Sequence, residues 1–375
     1  MTGAVMLSAE VRARRLHNLL VWSPVDDDPG AVVGRLLAVQ GQEFAYALWS
    51  VAQRIEESVR PSAADLAVSY DLGGILRTHL MRPTWHLVAP DDARWLLTLT
   101  AGRVHQANRG MYERNGLDAQ TLARTTDAIA RAVDGGRHQS RAGLRTALQQ
   151  SGLELSNLAF TYAVMFAELE RVIISGATDG KQRTHAAFDE RVPPGFVRGA
   201  DSFDHEQALA ELARRYFSTR GPASLKDFSA WSGLTLAACR TGLRLALEQN
   251  PGFLESADVA GVECWLPPAD APDSPPSGRL DLLQGYDEYV MSYLETRGHM
   301  QHPDYSAPSV TAPSIHFFLV DGRLAGFWKH ELRRADATIT VHPIEPLSAA
   351  VERAERRAVA EYGAYLKVPV ELRRG

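Results

Sequence analysis

One five-residue pattern occurs twice in this chain. Ser151-Gly152-Leu153-Glu154-Leu155 and Ser232-Gly233-Leu234-Thr235-Leu236 share the form S-G-L-x-L. Short helical stretches over 142–149 and 225–231 precede the two copies. A longer helix follows each one. The first carries Leu158, Tyr162, Met165, Phe166, Leu169 and Ile173 as an apolar stripe, and the second runs over about 237–248. Extended segments at 172–175 and 252–254 come next. The glycine suits a tight interhelical turn because it accepts positive φ. Helix, glycine turn, helix and β hairpin is the order of a winged helix-turn-helix unit. The alternative is two unrelated helical hairpins that share five residues by chance.

The flanks extend this reading. Asp28-Pro29 caps a helix that is expected to run to about Val39, and Phe44, Leu48, Val51 and Ile55 recur at helical spacing. The β-forming stretch 75–87 contains Pro83 and reads as strand, turn, strand. Pro90-Asp91-Asp92 then opens another helix. The last third changes character. Five prolines fall within 266–278, a hairpin is signalled at Asp321-Gly322, a third strand is expected at 338–342, and a helix over 347–362. The expected architecture is mainly α (α+β): winged units over 1–110, 111–200 and 201–268, then an α+β module over 269–375.

A formal net charge of −5 over 375 residues excludes a protein that coats nucleic acid without discrimination, but it leaves room for a local basic groove. Cys239 and Cys264 stand in apolar surroundings and read as reduced, buried thiols. Nothing near Met1 resembles a signal peptide, and no apolar run approaches the ~18 residues of a membrane span. The expectation is a cytoplasmic monomer with no membrane association, cofactor or metal. His299 and His302 have a spacing that could suit a metal, yet no third ligand accompanies them.

Tandem winged units point to duplex DNA, although the same fold also serves as a protein-binding scaffold. Asp179-Gly180 would turn a hairpin carrying Lys181, Arg183 and His185 on one side of a strand; a solvated arm would look the same. Arg82, Trp85 and His86 combine cations with an aromatic able to stack on a base. Trp85 and His86 could equally belong to the core. Asp287-Glu288 is a carboxylate pair whose members, as sequence neighbours, point apart. Gln40-Gly41-Gln42 is a polar triplet after an apolar run, and in an extended connector both glutamines would face one way.

The stretches 37–42, 47–49 and 82–97 resemble the AlkZ/YcaQ-type winged-helix DNA glycosylases. So do Gly180-Lys181-Gln182-Arg183-Thr184, Gly221-Pro222-Ala223-Ser224, Trp231-Ser232-Gly233-Leu234, Tyr286-Asp287-Glu288-Tyr289 and Asp321-Gly322-Arg323. The resemblance implies a concave DNA-binding face and excision of alkylated bases, with unhooking of interstrand crosslinks in some members. Gln40 and Gln42 match the family's catalytic glutamines, and Gly41 stands where the family has an apolar residue. Arg82, Trp85, His86, Lys181, Arg183 and His185 are the candidate contacts to double-stranded DNA. A cationic N-alkylpurine leaves without protonation, so neutral amides that place a water suffice. A non-catalytic winged-helix regulator is the competing function.

Overall fold

The computed structural model describes residues 4–193, 203–269, 277–301 and 316–375. After β1 (Ala4–Val5) and α1 (Ser8–Asn18) come α2 (Pro29–Leu36), β2 (Val39–Gln40), α3 (Phe44–Ala52), α4 (Ala63–Leu72), β3 (Leu76–Leu80) and β4 (Arg82–Val88). The long α5 (Pro90–Arg114) leads to α6 (Ala119–Val133), β5 (Gln139–Ser140), α7 (Arg141–Gln150), α8 (Asn157–Leu169), β6 (Ile173–Ser175), β7 (Thr184–Ala187) and α9 (Phe188–Arg191). Next are α10 (His205–Arg220), α11 (Leu225–Ser232), α12 (Leu236–Gln249), β8 (Glu255–Val259) and β9 (Val262–Leu266). Helix, short strand, two helices and hairpin thus recur, with a single bridge from Ala223 to Trp265 as the short strand of the third set.

The last segment holds β10 (Leu280–Leu283), α13 (Glu288–Met291), β11 (His316–Val320), β12 (Arg323–Leu332), β13 (Ala337–Pro343), α14 (Ala349–Leu366) and β14 (Val370–Arg374). Its strands form one five-stranded sheet in the order β10-β11-β12-β13-β14. The smaller sheets are β2-β4-β3, β5-β7-β6 and β1-β8-β9, so the N-terminal strand joins the third set. The fold is α+β with helix predominant.

Local chemistry explains the elements. Asp28, Ser62, Ser140, Ser156, Ser224 and Ser348 each cap a helix by accepting an N–H from its first turn. Both pattern glycines, Gly152 and Gly233, have φ of +71°. A β-carbon on Gly233 would also collide with the Met81 carbonyl, so that turn packs directly on the β3–β4 turn. Residues of the first set, the third set and the C-terminal sheet share one core. The second set buries its own, around Ile129, Leu144, Phe160 and Ile173.

One expectation is corrected. The helix from Pro29 ends at Leu36, not Val39, because Leu37 takes φ of +68°. Val39 and Gln40 instead form a strand. His302 and most of the proline-rich stretch lie outside the described residues. Among the described residues, no helix is long and apolar enough to cross a membrane, and no cluster of ligands suits a metal.

Candidate active site

Gln40 ends β2 directly opposite His86 of β4. Cross-strand partners share a face, and alternate residues of β4 share that face too. The register is irregular between Arg82 and Trp85, but the Arg82 charge acts on His86 and Glu288, so Arg82 and His86 join Gln40 on one side of the sheet while Trp85 lies on the other. The cluster read from sequence as one patch is split by strand periodicity.

The Gln40 side is buried and short of partners. Gln40 is 1% exposed, and neither Oε1 nor Nε2 of its carboxamide has a hydrogen bond. Its backbone, in contrast, is held at both ends. The N–H donates to Glu288 Oε1 at 3.0 Å, and the carbonyl accepts from Gln284 Nε2 at 3.1 Å. Nε and Nη2 of Arg82, Thr84 Oγ1, His86 Nε2 and Gln284 Oε1 are likewise buried and unpaired among the described residues. Buried polar atoms normally find partners, and each orphan costs about 1–3 kcal/mol. Several lie together on one strand pair and its neighbour, so their partners come from outside the protein, as water or as a ligand.

The protonation state there is defined. His86 Nδ1 lies 3.0 Å from the Thr84 carbonyl, so Nδ1 carries the hydrogen and Nε2 offers a lone pair. Burial, reinforced by the Arg82 charge, holds the imidazole well below its ordinary pKa and keeps it neutral. Burial also lowers the Arg82 guanidinium, with the Glu288 carboxylate opposing that shift.

Glu288 organises this side. Its Oε2 accepts from Arg220 Nη2 at 2.7 Å, Trp231 Nε1 at 2.8 Å and Ser292 Oγ at 3.2 Å. Arg220 in turn donates to the carbonyls of Leu36 and Ala38, fixing the chain just before β2. Asp287 points elsewhere and pairs with Arg54 at 2.8 Å. The two neighbouring carboxylates therefore serve separate arginines, as expected of sequence neighbours. Indole N–H groups of Trp49 and Trp328 hold the carbonyls of Leu282 and Leu283, which sets where β10 delivers Gln284 and Glu288.

Gln42 differs from Gln40: it is exposed, in the bend before α3. Gly41 links them. Its N–H donates to the Trp85 carbonyl at 2.8 Å, and its carbonyl accepts from Arg77 Nε at 2.8 Å. A β-carbon on Gly41 would stand 3.3 Å from His86 C and Leu87 N. Glycine is present because the segment lies against the backbone of β4. Glu43, next in line, bonds His316 Nε2 at 3.2 Å.

On the opposite face, Arg77 covers Trp85 at 4.2 Å from the ring centroid and His79 leans on the ring at 4.4 Å. Glu168 of α8 binds the ring Nδ1 of His79 and, at 3.2 Å, His185 Nε2. Burial alone would raise this carboxyl, but the two histidines outweigh it and hold it low. Lys181, Arg183 and His185 come together with Trp85 around one cavity of about 290 Å³. The sequence reading missed Glu168, Gln284 and Arg220. A glutamate between the buried Ala167 and Leu169 was the available signal for the first; the others have none.

No match is found among functionally curated proteins. Among solved structures the chain is similar to Streptomyces sahachiroi DNA glycosylase AlkZ, with a TM-score of 0.72 and 20% identity over 100% of both chains. At that identity the likeness establishes the shared fold. The sequence itself matches the family described as DNA glycosylase AlkZ-like over residues 33–366. That span holds the glutamine motif, the wing and the Asp287-Glu288 pair, and the chain belongs to the AlkZ-like DNA glycosylase family.

Proposed function

We propose that this protein is a monofunctional DNA glycosylase that hydrolyses the N-glycosidic bond of cationic N-alkylated purines in duplex DNA. The observation that supports it best is the Gln40 carboxamide: buried, pinned through its backbone, and without a partner for either polar atom. Such an amide is preorganised for a substrate or water and costs no rearrangement when one arrives. Gln42, exposed beside it, would complete the placement of the nucleophilic water.

The chemistry asks little of an acid. The C1′–N bond breaks with its pair moving to the cationic base, which leaves neutral. Water adds to C1′ and its proton passes to solvent. All four lysines, Lys181, Lys226, Lys329 and Lys367, are exposed, so none is desolvated in the way a Schiff-base lysine is. His86, neutral and with a bare Nε2, offers a hydrogen-bond acceptor on the Gln40 side of the sheet, and Arg82 supplies positive charge there.

Incubation with duplex containing N7-methylguanine, followed by alkali, is expected to break the strand at the lesion. Intact strands at stoichiometric protein, across several adducts and a crosslink, would sink the proposal. Sequence-specific binding to undamaged DNA in their place would favour the regulator reading. The latter drew on Gly41, for which close packing on β4 gives a sufficient reason.

A further inference from the structure

The cavity on the Trp85 face is not used by the chemistry at Gln40. It lies between β4 and the β6–β7 wing, and Arg77, Arg141, Lys181, Arg183 and Glu168 reach it. We infer that it is a phosphodiester site, which seats one backbone phosphate of the damaged strand. The source of that phosphate, DNA, rests on the function proposed above.

Three observations point this way. Arg77 is only 8% exposed, yet among the described residues its sole side-chain hydrogen bond is Nε to the Gly41 carbonyl. Both terminal nitrogens of a buried guanidinium are thus left to the cavity. Lys181, Arg183 and Arg141 form no ion pair among the described residues, although Arg141 donates to Thr161 Oγ1. The one carboxylate present, Glu168, already has Oε2 on His79 and Oε1 on His185. Four cations therefore face about 290 Å³ that holds a single carboxylate, already bonded to two histidines. Crowding agrees with this: burial and then Arg183 push the Arg77 guanidinium down to about 10.

The ligand class follows from the donors. Forked guanidinium groups match the oxygens of a phosphate. A stacked base is a poorer fit, because Trp85 already has Arg77 and His79 against its ring. Arg77 touches both the cavity and the Gly41 carbonyl. A phosphate seated there stands one guanidinium away from the glutamine motif, which sets the register of the strand against Gln40 and Gln42.

Methylphosphonate interference tests it. Each phosphate around an N7-methylguanine is made neutral in turn, and binding is read by fluorescence anisotropy with wild type, Arg183→Gln and Arg77→Lys. One position is expected to weaken wild-type binding by about tenfold, the size of a charged contact. At that position alone Arg183→Gln should lose no more, and its salt slope should be shallower by about 0.9. Arg77→Lys keeps charge but loses the fork, and should blunt the same position. Equal losses in all three proteins at every position would overturn the inference. So would tight binding of inorganic phosphate with no interference from any methylphosphonate. Because the readout is binding, failed excision with interference intact would refute only the catalytic reading.

Discussion

The backbone N–H of Gln40 is bonded to the carboxylate of Glu288, 248 residues away in sequence. The same carboxylate neutralises Arg220, and both side chains are fully buried. The glutamine motif is therefore anchored from the C-terminal module and the third helical set at once, through one glutamate.

Replacing Glu288 by glutamine should be costly in two ways. It leaves Arg220 buried without a counter-charge, a loss of about 3–5 kcal/mol, and turns an amide N–H toward groups that donate. Urea denaturation should show that loss, with excision reduced in the surviving folded protein. Stability within about 1 kcal/mol of wild type would contradict the anchoring role.

Gln40→Ala should behave in the opposite sense. The substitution removes two unsatisfied polar atoms and leaves a small void, and these effects offset to within about 1 kcal/mol. Melting temperature should barely move while excision falls by about 100-fold or more, as when a preorganised group is lost elsewhere. A large drop in stability would identify Gln40 as structural.

Gly41→Ala probes the close approach to β4. With a β-carbon 3.3 Å from His86 C and Leu87 N, the strand must shift, at about 1–3 kcal/mol for overpacking. Chemical denaturation reads this directly. An alanine variant as stable as wild type would show that β4 yields freely.

His86 makes stability depend on pH. The unfolded imidazole takes a proton near its ordinary value of 6.5, while the folded one stays neutral well below it. The unfolded state thus binds more protons in that window. The contribution is complete above pH 6.5 and is lost as pH falls, by up to about 1.4 kcal/mol per unit. Glu168 is shifted down as well: its contribution is present above the unfolded value of 4.5 and is lost as pH drops beneath it. Denaturation of His86→Gln at pH 7 and pH 5.5 should show a shallower slope than wild type; an unchanged slope would refute the assignment.

Much of the fold was legible because local chemistry dictated it. The S-G-L-x-L turns fell between α7 and α8 and between α11 and α12, and Asp321-Gly322 joined β11 to β12. Strand β2 was hidden, since the apolar run through Val39 continues a helical pattern and Leu37 enters the left-handed region without a glycine. Periodicity, applied to β4, would have separated Trp85 from Arg82 and His86. Gln284, Glu288 and Arg220 reach Gln40 only through tertiary packing, and nothing in local sequence reveals that.

Single-turnover excision of N7-methylguanine from duplex DNA, by wild type, Gln40→Ala and Gln42→Ala, tests the central claim most directly. Wild type should release the base, and both variants should lose excision while binding the duplex within a few fold of wild type. Variants that excise at the wild-type rate would contradict a glutamine-based mechanism.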